Sequence, residues 1–489
     1  MVPGIVVAML GTTFVVLPVF YPLRMRSINE YVERRFRSRA LKRAVLLASV
    51  VKDLLYLGIC LYAPTLAMSA VTPVSSDTYV IVIGLIVTFY SAFGGMKAVV
   101  WTDVFQATII LVGVVMTTVG SLHSAGGLGS VWRVAGEHGR LDVFNFNFGL
   151  YERHTAVNTF IMGVVNFGYG FSFSQATLQR IATQTSVGNT RAVMLTSTVG
   201  LWAILTILFL GGIGIYAAYY GCDPLALGLI TRADQIVPYY VMQRLGYMTG
   251  VPGLFVACLF SGTLSSISSV LNSVPTMLWV DFLSDLQFFQ KASENFKTVF
   301  NKLLSLKAME RVSWRQSFCH VLNVPIKKFP NLSISSLVAG PIAGVFVLGL
   351  AVPACGKTGA ITGFVVSAVF MFWLGIGGQI YGSSAPLLAL DKHLCSEGLN
   401  VTAATSSLNV TSGPLQTSSL HPLYNISYTL YSPVGLLLCL LVGVVVTYAV
   451  GCRTTEKVDP QHILHCLRPR AERRSETLRL KKVQNLPEQ

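Results

Sequence analysis

The sequence predicts an all-α, polytopic membrane protein, and three observations carry that prediction. Its 489 residues are 53% hydrophobic and only 12% charged, with a mean hydropathy of +0.61, whereas a soluble chain of this size carries about 25% charged residues. Apolar stretches of about 18 residues, long enough to cross a bilayer as a helix, recur along the chain. The formal net charge of +15 gathers in short connections and the tail, the distribution of the positive-inside rule. That placement argues against a nucleic-acid partner. The nine cysteines include no CxxC pair, so neither a zinc site nor a disulfide framework is indicated; only Cys222 and Cys395 are expected outside, and pairing between them stays open.

Ten spans follow in order, at 2–23, 44–71, 78–93, 103–122, 156–173, 192–220, 249–279, 335–353, 359–381 and 432–450. They make residues 1–452 the transmembrane region. The first span carries its positive charge after rather than before its apolar run, which excludes a cleavable signal peptide and predicts an external N-terminus. The connection behind it holds Arg24, Arg26, Arg34, Arg35, Arg37, Arg39, Lys42 and Arg43 and is therefore cytoplasmic. Within it, Ser27 to Glu30 reads S-x-x-E, a capping box that opens a short surface helix. Spans three and four flank a Gly94-Gly95-Met96-Lys97 turn. Two glycines permit a tight reversal, and Thr102 or Asp103 can cap the next helix. Alternation then places Lys97 and the stretch Gln179–Arg191 inside, with 123–155 as an extracellular loop and 280–334 as a Lys-rich cytoplasmic loop.

Beyond residue 330 the alternation fails. Three remaining spans would leave the basic tail 453–489 outside. They would also leave Asn400, Asn409 and Asn425 inside, although each begins an N-x-S/T sequon in the loop 382–431, and such acceptors are used only on the lumenal side. One further crossing between residues 285 and 335 would repair both faults, yet residues 313–334 carry Arg315, His320, Lys327, Lys328 and two prolines. A missing helix is inferred. With that crossing, 382–431 is extracellular and 453–489 cytoplasmic.

The run Tyr90-Ser91-Ala92-Phe93-Gly94-Gly95-Met96-Lys97-Ala98, followed by Val99-Val100-Trp101-Thr102-Asp103-Val104-Phe105-Gln106, resembles the signature of the sodium/solute symporter family. Leu17-Pro18-Val19-Phe20-Tyr21 and Leu57-Gly58-Ile59-Cys60-Leu61-Tyr62-Ala63-Pro64 resemble its sodium-coupled monocarboxylate and sodium-dependent multivitamin branch. The element Gln175-Ala176-Thr177-Leu178-Gln179-Arg180 is similar to the family's Asn-Gln-x-x-x-Gln-Arg, with Ser174 where many relatives have Asn. The resemblance spans nearly the whole chain.

It implies an inverted-repeat fold, two sets of five helices with substrate and sodium near the midplane. Against that pattern the chain lacks the broken helix that opens the first repeat, and one helix near residue 310. It also implies that Ser261-Gly262-Thr263-Leu264-Ser265-Ser266-Ile267-Ser268-Ser269 supplies sodium ligands, by position the Gly262 carbonyl and the Ser265 and Ser266 hydroxyls. Sodium is a hard cation, and hydroxyls beside a carbonyl freed by local unwinding replace part of its hydration shell. The alternative is that small residues let helices pack closely in lipid.

Three further features bear on function. Lys52 and Asp53 sit inside the second span, where ionisable residues are by default functional candidates, and mutual neutralisation is the favoured reading. Asn166, Tyr169 and Phe171 could line a substrate path or simply pack. The basic tail could meet anionic lipid or remain solvated. No HExxH, nucleotide-binding loop or Ser/His/Asp set occurs, so no enzyme and no organic cofactor is expected. The resemblance implies sodium-coupled symport of small organic anions at the plasma membrane, monocarboxylates such as lactate or nicotinate first and biotin or pantothenate second; the competing expectation is a shortened, non-transporting membrane protein.

Overall fold

The computed structural model describes residues 1–69, 76–142, 145–152, 154–230, 233–290, 331–381, 421–449 and 458–467, with a few positions between 293 and 304. Among the described residues every regular element is helical. In chain order the principal helices are α1 (Val2–Leu23), α2 (Asn29–Phe36), α3 (Arg39–Ser69), α4 (Ser76–Ser124), α5 (Leu128–Glu137), α6 (156–172), α7 (Gln175–Ala182), α8 (Val187–Ala218), α9 (Ile236–Arg244), α10 (Val251–Asp281), α11 (Asn331–Ala351), α12 (Lys357–Tyr381) and α13 (Tyr431–Ala449). Wider π turns interrupt α1 at Thr12–Val16 and α6 at Gly163–Phe167.

Six described stretches are both long and apolar enough to cross a bilayer: Val2–Leu23, Ala98–Ser124, Val187–Ala218, Val251–Asp285, Lys357–Gly378 and Tyr428–Ala449. Ile81–Ser91 and Ser335–Ala351 are shorter apolar helices. The chain is a multi-pass membrane protein.

Helix α4 has 49 residues, which laid straight would reach about 74 Å, against an apolar thickness of about 30 Å. It is not straight. The Tyr90 hydroxyl lies within hydrogen-bonding reach of Gln106, yet on a straight helix positions 90 and 106 would stand about 24 Å apart. The chain therefore doubles back between them, as the Gly94–Gly95 pair leads one to expect. The Thr102 hydroxyl donates back to the Val99 carbonyl at 3.0 Å.

Contacts sort the helix ends onto two faces. On one, Met1 meets Thr159 at 3.3 Å, the Ser427 amide donates to the Leu150 carbonyl at 2.8 Å, and His154 bonds Tyr428 at 2.7 Å. On the other lie the basic connection 24–43, the Asp281 end of α10, the α11–α12 connection and residues 458–467. There Lys42 sits 3.6 Å from Asp281, and the Leu464 amide donates to the Leu350 carbonyl at 3.1 Å. This second face carries the Arg- and Lys-rich connection that the positive-inside rule expects in the cytoplasm. Leu337, near the start of α11, packs with Tyr424 and Tyr431 towards the first face. Asp281 and Leu337 therefore lie on opposite sides. The place near residue 310 where a helix is expected to be missing falls outside the described residues, as do Asn400, Asn409 and Cys395; Asn425 is half-buried beside the outer contacts, and Cys222 is disulfide-bonded.

The Ser27–Glu30 capping box forms by half. The Glu30 carboxylate accepts from the Ser27 amide at 3.2 Å, while the Ser27 hydroxyl accepts from the Asn29 amide at 3.2 Å rather than that of Glu30 and donates to Asp281. Nearby, Arg35 is buried and donates to the carbonyls of Gly349, Val352, Pro353 and Cys355, satisfying groups that the C-terminus of α11 leaves open. Helices α11, α12 and α13 meet through glycines, because lipid offers no hydrophobic drive and close approach must supply the attraction. A Cβ on Gly340 would stand 2.5 Å from the Ser432 carbonyl, and one on Gly363 2.6 Å from that of Cys439.

Candidate functional site

Helix α10 carries small and hydroxylic residues through its middle, and they face three partners: α3, both halves of α4, and α7. Towards α4, the Ser265 hydroxyl donates to Asp103 Oδ1 at 2.6 Å. Asp103 Oδ2 accepts from Arg180 Nη2 of α7 at 3.0 Å, and the same nitrogen reaches the Ser269 hydroxyl at 2.9 Å. Serine, carboxylate and guanidinium from three helices thus form one cluster. Arg180 is half exposed and Asp103 about one-fifth exposed, so the ion pair is solvent-screened and contributes little to stability.

On the adjoining residue, pointing towards α3, the Ser266 hydroxyl donates to the Gly262 carbonyl at 3.1 Å and lies within reach of Tyr56 and Cys60. Helix α10 is unbroken from Val251 to Asp281, which corrects the expectation of local unwinding at Gly262. The Gly262 carbonyl is held by an intrahelical hydroxyl instead. The residues offer hydroxyl, carbonyl and carboxylate oxygens with one formal negative charge, a donor set that suits a singly charged hard cation. No group of three His, Cys, Asp or Glu stands together among the described residues.

The other residues singled out from the sequence take these places. Gln175 is buried, accepts from the Ile28 amide and donates to the Arg26 carbonyl, both at 2.9 Å, tying α7 to the basic connection. Ser174 caps α7 by accepting from the Thr177 amide at 3.3 Å, so the substitution of Ser for Asn retains an N-cap oxygen. Gln179 spans Asn272 and Ser273 of α10 at 3.5 and 3.4 Å. Trp101 is largely exposed on the helix surface. Asn166 donates to Ser336 at 3.0 Å and accepts from Ser432, joining α6 to α11 and α13. Phe171 stacks on Phe167 with 6.3 Å between centroids. Tyr169 is buried, and its ring faces the Lys52 ammonium at 4.9 Å from the centroid. The expected neutralising pair is formed, Lys52 Nζ lying 2.9 Å from Asp53 Oδ1.

Sequence reasoning missed Tyr90, Ser91 and Asn272. Tyr90 donates to the Leu264 carbonyl at 3.1 Å, and Asn272 to the Ser91 hydroxyl at 2.9 Å. Both contacts join segments more than 170 residues apart, and only the polarity of Asn272 within an apolar span could have signalled them.

Residues 3–367 match the sodium:solute symporter family. The chain is 33% identical over 462 residues to human sodium-coupled monocarboxylate transporter 1, covering 92% of this chain and 75% of that protein. It is 34% identical over 451 residues to sodium-coupled monocarboxylate transporter 2 of Danio rerio, covering 91% and 71%. Among solved structures it is similar to a Na+-coupled sialic acid symporter in a substrate-bound outward-open state, with a TM-score of 0.71 at 20% identity, covering 91% of this chain and 82% of that one. That likeness shows the fold, the inverted-repeat transporter architecture.

Proposed function

The chain belongs to the sodium:solute symporter family, and from that membership we propose that it carries small organic anions, monocarboxylates such as lactate or nicotinate, into cells together with sodium. The observation that carries this reading is the oxygen cluster on α10. Ser265, Ser266 and the Gly262 carbonyl, with Asp103 opposite, offer a hard-oxygen environment near the Lys52–Asp53 pair. The naming of the similar human and fish proteins as monocarboxylate transporters supports the choice of substrate class.

In this reading sodium is cargo. Gly262, Ser265 and Ser266 replace part of its hydration shell, and Asp103 supplies the compensating charge from across the α4–α10 contact. Sodium entering from outside raises the local positive potential and so favours arrival of an anion. The pair then leaves inward when the helices on the basic face part. The host membrane is the plasma membrane, with the Arg-rich connection 24–43 inside.

The test is uptake of labelled lactate and nicotinate into cells expressing the chain, with external sodium or with choline in its place, alongside Ser265→Ala. Sodium-dependent uptake that Ser265→Ala reduces at equal surface expression is the expected result. Absence of sodium-dependent uptake from a surface-expressed chain would overturn the proposal.

A further inference from the structure

We propose that Lys52 is the residue that binds the substrate's carboxylate, with Asp53 as the internal anion that the substrate relieves and Tyr169 as the wall behind it; this assignment rests on the anion-symport reading above.

Lys52 lies eight residues inside the span that begins at residue 44, about 12 Å along the helix axis and so near the middle of an apolar thickness of about 30 Å. A buried ion pair inside a membrane helix is costly, and apolar residues of similar volume would serve packing as well or better. The pair thus calls for a use. Its geometry is also poor for a permanent lock. Neighbouring residues on a helix point about 100° apart and do not face each other, so both side chains must bend to bring Nζ within 2.9 Å of Oδ1. A competing carboxylate arriving from the open side meets an ammonium whose present partner is badly placed to hold it.

The surroundings fit that exchange. Both side chains keep some accessibility, 13% for Lys52 and 18% for Asp53, so the pair is not sealed. The Tyr169 ring backs the ammonium at 4.9 Å, a cation–π contact that holds Nζ in place when Asp53 swings away. Tyr169 follows the π turn at Gly163–Phe167, a widening that re-aims the side chains beyond it and recurs at functional sites. One turn along α3, Tyr56 reaches Ser266 of the candidate sodium cluster. Tyr56 thus bridges the proposed carboxylate position and the cation position. The charges also close: Lys52 and Asp53 sum to zero, and one sodium with one carboxylate adds zero, so the loaded site stays neutral in a medium that penalises net charge.

The test reads binding rather than transport, so its failure and the failure of symport are separate events. The purified full-length chain in detergent with saturating sodium is titrated with lactate and with lactamide, its uncharged amide, and the thermal unfolding midpoint is followed. Lactate but not lactamide is expected to raise the midpoint of the unaltered chain. Lys52→Gln is expected to weaken the apparent lactate affinity by about tenfold or more, the loss of one charge-assisted bond, and Lys52→Arg to keep most of it. Asp53→Asn is expected to tighten it by removing the competing anion. Because Lys52→Gln alone leaves Asp53 unpaired and could impair folding, the double change Lys52→Gln with Asp53→Asn removes both charges and is expected to fold without responding to lactate. Lactate stabilising that double variant with unaltered affinity would overturn the assignment, as would equal responses to lactate and lactamide in the unaltered chain. A lactate response that depends on Lys52, without uptake, would instead remove the symport reading and leave the site.

Discussion

Arg35 donates to the Val352 carbonyl at 2.8 Å, a contact between a short cytoplasmic helix and the far end of α11, 317 residues away in sequence. Gly349, Pro353 and Cys355 supply three more carbonyls, so one guanidinium closes the C-terminus of α11. Burial pushes its pKa below the ordinary arginine value, but arginine stays charged throughout the accessible range.

Arg35→Ala is expected to destabilise the protein by about 2–4 kcal/mol, because several buried carbonyls lose a charged donor at once. Arg35→Lys is expected to recover little, since an ammonium cannot fork across four acceptors. Thermal midpoints in detergent and surface expression read both; a midpoint unchanged by Arg35→Ala would refute the role.

Glycine positions on α10 and α11 are expected to respond in opposite ways. At Gly262 the nearest atom to an added Cβ is Ile110 Cδ1 at 4.0 Å, so Gly262→Ala should fold as well as or better than the parent, alanine being favoured in helices by about 1 kcal/mol. At Gly340 an added Cβ meets backbone at 2.5 Å, and Gly340→Ala should lower the midpoint by several degrees. Size-exclusion profiles and melting curves of the two variants side by side decide it.

In the proposed site Arg180, 3.0 Å from Asp103 Oδ2, would compete with the cation for that carboxylate. Arg180→Gln is expected to lower the sodium concentration for half-maximal uptake by about two- to fivefold, the range of a half-exposed ion pair. A rise in that concentration would show that Arg180 assists the cation instead.

Residues 458–467 dock on the cytoplasmic face, where Tyr31 donates to the His462 carbonyl at 2.8 Å. Burial lowers the His462 pKa below 6.5, opposed by Asp459 and reinforced by Arg34 and Arg35. A base with a depressed docked pKa is neutral in both states at high pH. Its undocked form gains a proton first as pH falls through 6.5, so docking is full above 6.5 and weakens from there towards the docked pKa. Hydrogen exchange of 458–467, corrected for intrinsic rates, should therefore be slower at pH 7.5 than at pH 5.5 relative to a His462→Gln variant.

Much of the architecture was readable because lipid imposes it. Apolar length marks the spans, and Lys and Arg gather on one face, each by a rule local in sequence. The site was readable only on one side. The hydroxyls of α10 stand out as Ser265, Ser266, Ser268 and Ser269, but their counterpart Asp103 had only a local role as a cap open to it. Its partnership with Ser265 joins positions 162 apart. Arg35 was counted merely as one more positive charge, because its partners are backbone carbonyls and carry no side-chain signature. Ser27 shows the same limit, with a local pattern that names Glu30 while a distant Asp281 takes the hydroxyl.

At two points the glycines of α11, α12 and α13 set backbone against backbone, Gly340 on the Ser432 carbonyl and Gly363 on that of Cys439. Sliding or turning one of these helices there would drive a Cβ into a neighbouring carbonyl, so the three resist shear and are expected to shift together. In the proposed transport cycle the candidate cation cluster lies on a different seam, between α10 and α4, so that loading it need not disturb this three-helix block.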